Sequence, residues 1–164
     1  IYKEATVFMY TWYGMPTIYY GDEVGVAGWT DPDNRRPYPW GREDLEFLCF
    51  HKSLNEVCSK YQSLRTGSLR PIKIENNLLS YARISDEEIS IVIFNNRDNK
   101  HLENISVDVW MLGIPDGTKM KVVFRSNVAS SITSEKDVFV FNGQISINLV
   151  SFATAIVVYD YKDK

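Results

Sequence analysis

Asp22 and Glu23 are the first residues that could do acid–base work, since paired carboxylates can act as proton donor and nucleophile. Neighbours on one short segment point in divergent directions, so the two cannot flank one bond together. We therefore assign no catalytic residue to this chain. His51 and His101 lie fifty positions apart, without metal-ligand spacing, and no metal site is expected. No phosphate-cradling glycine loop and no G-x-S-x-G elbow occurs. Cys49 and Cys58 fall on one expected helix, about 13.5 Å apart along its axis. A disulfide cannot span that distance, and both read as small buried apolar residues. The sequon Asn104-Ile105-Ser106 is present, a tripeptide common by chance.

Aromatic residues are gathered at one end. Ten of the 22 lie within residues 1–40, from Tyr2 to Trp40, and nine of the 15 Gly and Pro lie between Gly14 and Gly41. A segment both loop-forming and aromatic can stack its rings on a flat ligand. The alternative is that the rings fill a core around an irregular stretch.

These residues need elements to position them. Residues 3–13 predict a helix with Ala5, Phe8, Met9 and Trp12 on one stripe, stopped by Gly14 and Pro16. Thr17-Ile18-Tyr19-Tyr20 reads as a short buried strand with both faces covered, the pattern of a parallel sheet. A long loop, 21–42, holds charged groups among Pro32, Pro37 and Pro39. A second helix follows, with Phe47, Phe50, Leu54, Val57, Cys58, Tyr61 and Leu64 at three- and four-residue steps over about six turns. Glu43 and Asp44 favour its start, Gly67 its end, and Glu56 and Lys60 are spaced for an i,i+4 pair.

From Ser68 the period becomes two. Strands are expected at 69–75, 78–84, 89–95, 104–110, 118–125, 137–142, 144–150 and 152–160, separated by Asn76-Asn77, Ser85-Asp86, Asn95-Asn96, Asp116-Gly117 and Asn142-Gly143. Short connections imply antiparallel neighbours, hence an all-β sandwich or barrel of about 95 residues.

Composition sets the outer limits. With 45% apolar and 24% charged residues, the 164-residue chain has a globular composition large enough for a core. A net charge of −3 argues against a nucleic-acid partner. No apolar run reaches 18 residues, which argues against a membrane-spanning helix. The chain opens at Ile1 as though already inside an element, and reads as a piece of a longer protein.

The run Gly14-Met-Pro-Thr-Ile-Tyr-Tyr-Gly-Asp-Glu23, with Gly25, Asp31-Pro-Asp-Asn-Arg35-Arg-Pro and Pro39-Trp40, resembles the α-amylase family of glycoside hydrolases. It is most similar to the neopullulanase, cyclomaltodextrinase and maltogenic amylase members. Leu78-Leu79-Ser80-Tyr81-Ala82-Arg83 and Ile91-Val92-Ile93-Phe94-Asn95-Asn96 resemble the C-terminal sandwich of the same enzymes. The resemblance implies a mainly β fold with α: the last helix–strand–helix slice of a (β/α)8 barrel in residues 1–66, then an antiparallel, Greek-key-like β-sandwich in 67–164. It implies a parent enzyme cleaving α-1,4, and in some members α-1,6, glucosidic bonds by a retaining mechanism. Two carboxylates about 5–5.5 Å apart would do this, and both would lie on barrel strands before Ile1. No organic cofactor is implied.

The resemblance also gives Asp31 and Arg35 a role. The matching residues bind a sugar ring, a carboxylate accepting from vicinal hydroxyls while a guanidinium donates in a fixed fork. A local Asp31–Arg35 ion pair that shapes the loop is the competing use. Glu23 becomes a structural carboxylate, Trp29 and Trp40 candidates for stacking, and Trp40 also a packing anchor before the helix. The expected partner is an α-glucan oligosaccharide, with no nucleic acid or membrane, and self-association of the exposed barrel slice. Two other classes remain: a non-catalytic family member, against which the Asp31/Arg35 pattern counts, and a carbohydrate-binding sandwich. The latter requires an exposed row of aromatics. Only Trp110 and a few alternating Phe and Tyr residues, read as inward-facing, could supply it.

Overall fold

Alternation of side chains, rather than any single motif, builds the larger part of the molecule. A computed structural model describes residues 1–75, 77–98, 102–127, 131–132 and 137–163. Its strands are β1 (Ser68–Glu75), β2 (Leu78–Ile84), β3 (Glu88–Asn95), β4 (Glu103–Asp108), β5 (Lys119–Ser126), β6 (Ser131–Ile132), β7 (Val138–Phe139), β8 (Gln144–Leu149) and β9 (Ala153–Asp160). Every strand pairing among the described residues is antiparallel. One sheet runs β1-β2-β3-β9-β5-β6, with β7 also on β5, and a second consists of β4 and β8. The strand expected over 137–142 is shorter, just β7 and a bridge between Phe141 and Gln144. That bridge closes the Asn142-Gly143 turn, whose two residues both have positive φ, 50° and 71°, as a two-residue hairpin turn requires. His101 and Asn76 lie outside the described residues.

Two buried clusters share the larger sheet. Ile105, Val107, Ile145, Ile147 and Leu149 of the small sheet face Ile91, Ile93, Met120, Ala155 and Val157. On the opposite side Val92, Phe94, Phe124, Ile156 and Val158 meet three helices: α1 (Tyr2–Thr11), α2 (Leu45–Lys60) and α3 (Gln62–Thr66). β3 and β9 are thus covered on both faces, which is why they read as continuous apolar runs. Each fully buried Val, Ile, Leu or Phe contributes about 1.5–3 kcal/mol relative to exposure.

The helical part departs from expectation in four ways. α1 buries Val7, Tyr10 and Thr11 against α2 and the sheet, whereas Met9 and Trp12 of the expected stripe reach solvent. The long helix breaks at Tyr61, which is extended at φ −98°, ψ 121°. The break turns α3 onto the sheet, where the buried Glu88 carboxylate accepts from Ser63 N at 2.7 Å and Ser63 Oγ meets Ser90 Oγ at 2.7 Å. Residues 17–20 form no strand and Ile18, Tyr19 and Tyr20 are exposed, because a lone strand has no neighbour for its backbone groups. Finally, Cys58 is buried but Cys49 is exposed; burial pushes the Cys58 thiol up to about 12, so it stays protonated and inert.

Candidate functional site

Loop 12–44 is held at its base by one tight unit. A single 3-10 turn, Asp22–Val24, lies between Gly21 and Gly25, both left-handed at φ 93° and 72°, a conformation glycine adopts without a Cβ penalty. Val24 is buried, Gly21 N donates to Glu23 Oε2 at 2.9 Å, and a Cβ on Gly25 would lie 3.1 Å from the Phe47 ring. Glu23 thus braces its own turn. Phe47, on the first turn of α2, is fixed by Asp44, whose carboxylate accepts from Glu46 N and Phe47 N, a regular N-cap.

A relay that the sequence did not announce ties this base to both helices. Tyr2 Oη donates to the Asp22 carbonyl at 2.7 Å and contacts His51 Nε2 at 3.2 Å. The phenol has one proton, spent on the carbonyl, so His51 Nε2 must donate and Nδ1 is the bare acceptor. Nδ1 is buried with no hydrogen-bond partner. Burial pushes His51 below the ordinary histidine value, against the raising effect of Glu23 and Asp22.

The outer loop folds on itself. A Cβ on Gly28 would sit 2.8 Å from Asn34 Cα, so only glycine admits this closure. Trp29 N donates to Asp33 Oδ2 at 3.1 Å, and Arg36 grips Asp33 through Nε and Nη2 at 2.8–3.0 Å. The structure brings Asp31 and Arg35 together: Arg35 Nε donates to Asp31 Oδ1 at 2.7 Å, both side chains exposed. Such an exposed pair contributes at most about 1 kcal/mol to stability. That bond uses only Arg35 Nε and Asp31 Oδ1, so an exposed acceptor stands in the same pair as an exposed donor fork, chemistry that vicinal hydroxyls can bridge.

The same loop carries exposed rings. Trp29 and Trp40 are 82% and 80% exposed, so Trp40 is not the packing anchor expected of it; Phe47 holds that place. Trp40 lies against Tyr38 at 4.4 Å between centroids, and Tyr19 against Tyr20 at 4.8 Å. Among the described residues no group of three or more His, Cys, Asp or Glu could hold a metal.

Sequence reasoning also missed Arg83. It is buried, donates to the carbonyls of Thr11 and Trp12 at 2.8 and 2.7 Å, and donates twice to Gly67 O at 3.1 and 2.8 Å. An arginine in an otherwise apolar strand was the available signal.

The class comes from likeness: homologues that cover most of the chain are named amylopullulanase, cyclomaltodextrinase and neopullulanase, and its structural neighbours are α-amylase-family enzymes. Its relatives are more particular. The amylopullulanase of Thermoanaerobacterium thermosulfurigenes is 31% identical over 96% of this chain and 8% of its own length. Neopullulanase 2 of Thermoactinomyces vulgaris is 36% identical over 60% of this chain and 18% of its own. A solved Anoxybacillus α-amylase shares the fold with a TM-score of 0.78 at 23% identity, covering 97% of this chain and 32% of that one. No protein-family model matches the chain. The chain therefore spans about a tenth of the length of the amylopullulanases it matches.

Proposed function

We propose that this chain is the C-terminal part of a retaining glycoside hydrolase that cleaves α-1,4, and in some substrates α-1,6, glucosidic bonds of α-glucans. Residues 1–66 are the last slice of its catalytic barrel and 67–164 its sandwich domain. The carboxylates that cut the bond belong to sequence outside this chain, and Asp31 with Arg35 binds a sugar ring beside the cut. The observation that carries this reading is the amylopullulanase match running through the loop and the sandwich alike. The local geometry supports it. Asp33 and Glu23 are engaged in bracing the loop, while Asp31 and Arg35 keep free valences toward solvent.

The test is the complete reading frame, expressed and assayed on maltodextrin and pullulan. Hydrolysis with retention is expected, and Asp31→Ala or Arg35→Ala should lower kcat/KM about tenfold or more, as loss of a charge-assisted hydrogen-bonding group does. The 164-residue chain alone should release no sugar. An inactive complete protein, or release of maltose from starch by the purified chain alone, overturns the reading.

A further inference from the structure

The small sheet turns Ile105, Val107, Ile145, Ile147 and Leu149 into the core, so its alternate residues form the opposite face. There Asn104 stands opposite Asn148, Ser106 opposite Ser146 and Asp108 opposite Gln144. Three rungs cover about 13 Å along the strands. Asn104 Nδ2 donates to Asn148 Oδ1 at 2.9 Å, Ser106 Oγ to Gln144 Oε1 at 2.8 Å and Gln144 Nε2 to Asp108 Oδ1 at 2.7 Å. Five of these six side chains are uncharged amides or hydroxyls, and all but Ser146 are held by these bonds.

Aromatic rings stand at one end of this ladder. Phe141 bridges to Gln144, and residues opposite one another in an antiparallel pair share a face. Phe139, two positions earlier, shares it too. Trp110 sits over the same turn: its backbone N donates to Gly143 O at 2.9 Å, and a Cβ on Gly143 would lie 2.7 Å from Trp110 Cβ. Trp110, Phe139 and Phe141 are 66%, 59% and 75% exposed. Phe139 and Phe141 thus face outward, against the inward orientation expected from the sequence. Lys119, opposite Phe139, is neutralised by Asp137 at 2.6 Å.

We propose that the outer face of β4 and β8, together with Trp110, Phe139 and Phe141, is a carbohydrate-binding surface for a linear α-glucan. It lies across the sandwich from the helices and from loop 12–44. A pyranose ring carries an apolar C–H face and a rim of neutral hydroxyls. Exposed rings suit the first, a preorganised row of amides and hydroxyls the second. A nucleic acid or an anionic lipid would need a basic face, which this is not. The choice of an α-glucan over another polysaccharide rests on the function proposed above.

The experiment is titration of the isotopically labelled chain with maltoheptaose, and separately with cellohexaose, followed by NMR. Maltoheptaose should shift the amides of Asn104, Ser106, Ser146 and Asn148 and the Trp110 indole N–H. Phe141→Ala and Trp110→Ala should each weaken binding about three- to tenfold, the effect of losing one stacked ring. Phe141 is the cleaner probe, being exposed and outside the core. Unchanged affinity in both variants, or no binding of either sugar, overturns the surface. Shifts confined to residues 28–40 overturn it while leaving the α-glucan reading in place. Cellohexaose seated on the ladder without maltoheptaose overturns it and counts against that reading as well.

Discussion

His51 is nearly enclosed among Tyr2, Tyr10, Phe50 and the Asp22–Val24 turn, with one ring nitrogen bonded and the other bare. Charging it would place a second N–H where no acceptor waits, so the fold holds the neutral ring. Its folded-state pKa is depressed below the ordinary value near 6.5, with desolvation the main cause. Between those two values the unfolded chain binds the extra proton, so the His51 contribution to stability is complete above pH 6.5 and is lost as pH falls through the depressed value. Glu4 adds a slope of opposite sign: it is buried, with Oε1 unpartnered, and burial raises its pKa, so its stabilising protonated form is lost as pH rises above the ordinary carboxylate value. A His51→Gln variant separates the two. Its amide can still donate to Tyr2 but cannot charge. Urea unfolding of the variant should show a shallower fall in stability from pH 6.5 to pH 5 than the parent. Equal slopes would exclude His51 as the source.

Arg83 works between elements. α1 ends at Thr11 and α3 at Thr66, capped by Gly67, and the carbonyls of Thr11, Trp12 and Gly67 converge on one guanidinium carried by β2. A cation at helix C-termini is favourable, and a fork of five donors can satisfy several carbonyls where an ammonium cannot. Replacing it with methionine leaves these buried acceptors unsatisfied. Arg83→Met should cost about 3 kcal/mol, read as a lower urea midpoint, with Arg83→Lys recovering only part of it. This latch also marks the limit of what could be read from the sequence. The strands were legible because β8 alternates Ile145, Ile147 and Leu149 with polar residues, and because turns such as Asn142-Gly143 act locally. The break at Tyr61 was not, since the carboxylate that caps α3 comes from Glu88, 25 residues later. Likewise α1 stops two residues before its expected end, where Arg83, remote in sequence, claims the last carbonyls. The Asp31/Arg35 loop could be found because the motif is contiguous. The outward turn of Phe139 and Phe141 depends on a bridge to β8 that no periodicity reports.

At the scale of the whole molecule, the two sides differ in how they meet water. The sandwich has a filled interior, whereas the loop beyond α1 exposes Tyr13, Met15, Tyr19, Tyr20, Trp29 and Trp40. So many large apolar side chains exposed on one loop are suited to a contact that another surface covers. In the 164-residue chain the available cover is a second copy. Light scattering should therefore show the average mass rising with concentration, while the near-ultraviolet signal of the sandwich stays unchanged. Trp29→Ser together with Trp40→Ser removes two of the most exposed rings without touching either buried cluster, and should shift the chain back toward monomer. Because the contact is apolar, added salt should not dissolve the assembly as it would one held by ion pairs. A strict monomer at high concentration, with residues 14–40 protected from hydrogen exchange, would mean that the loop covers its own rings and needs no second surface.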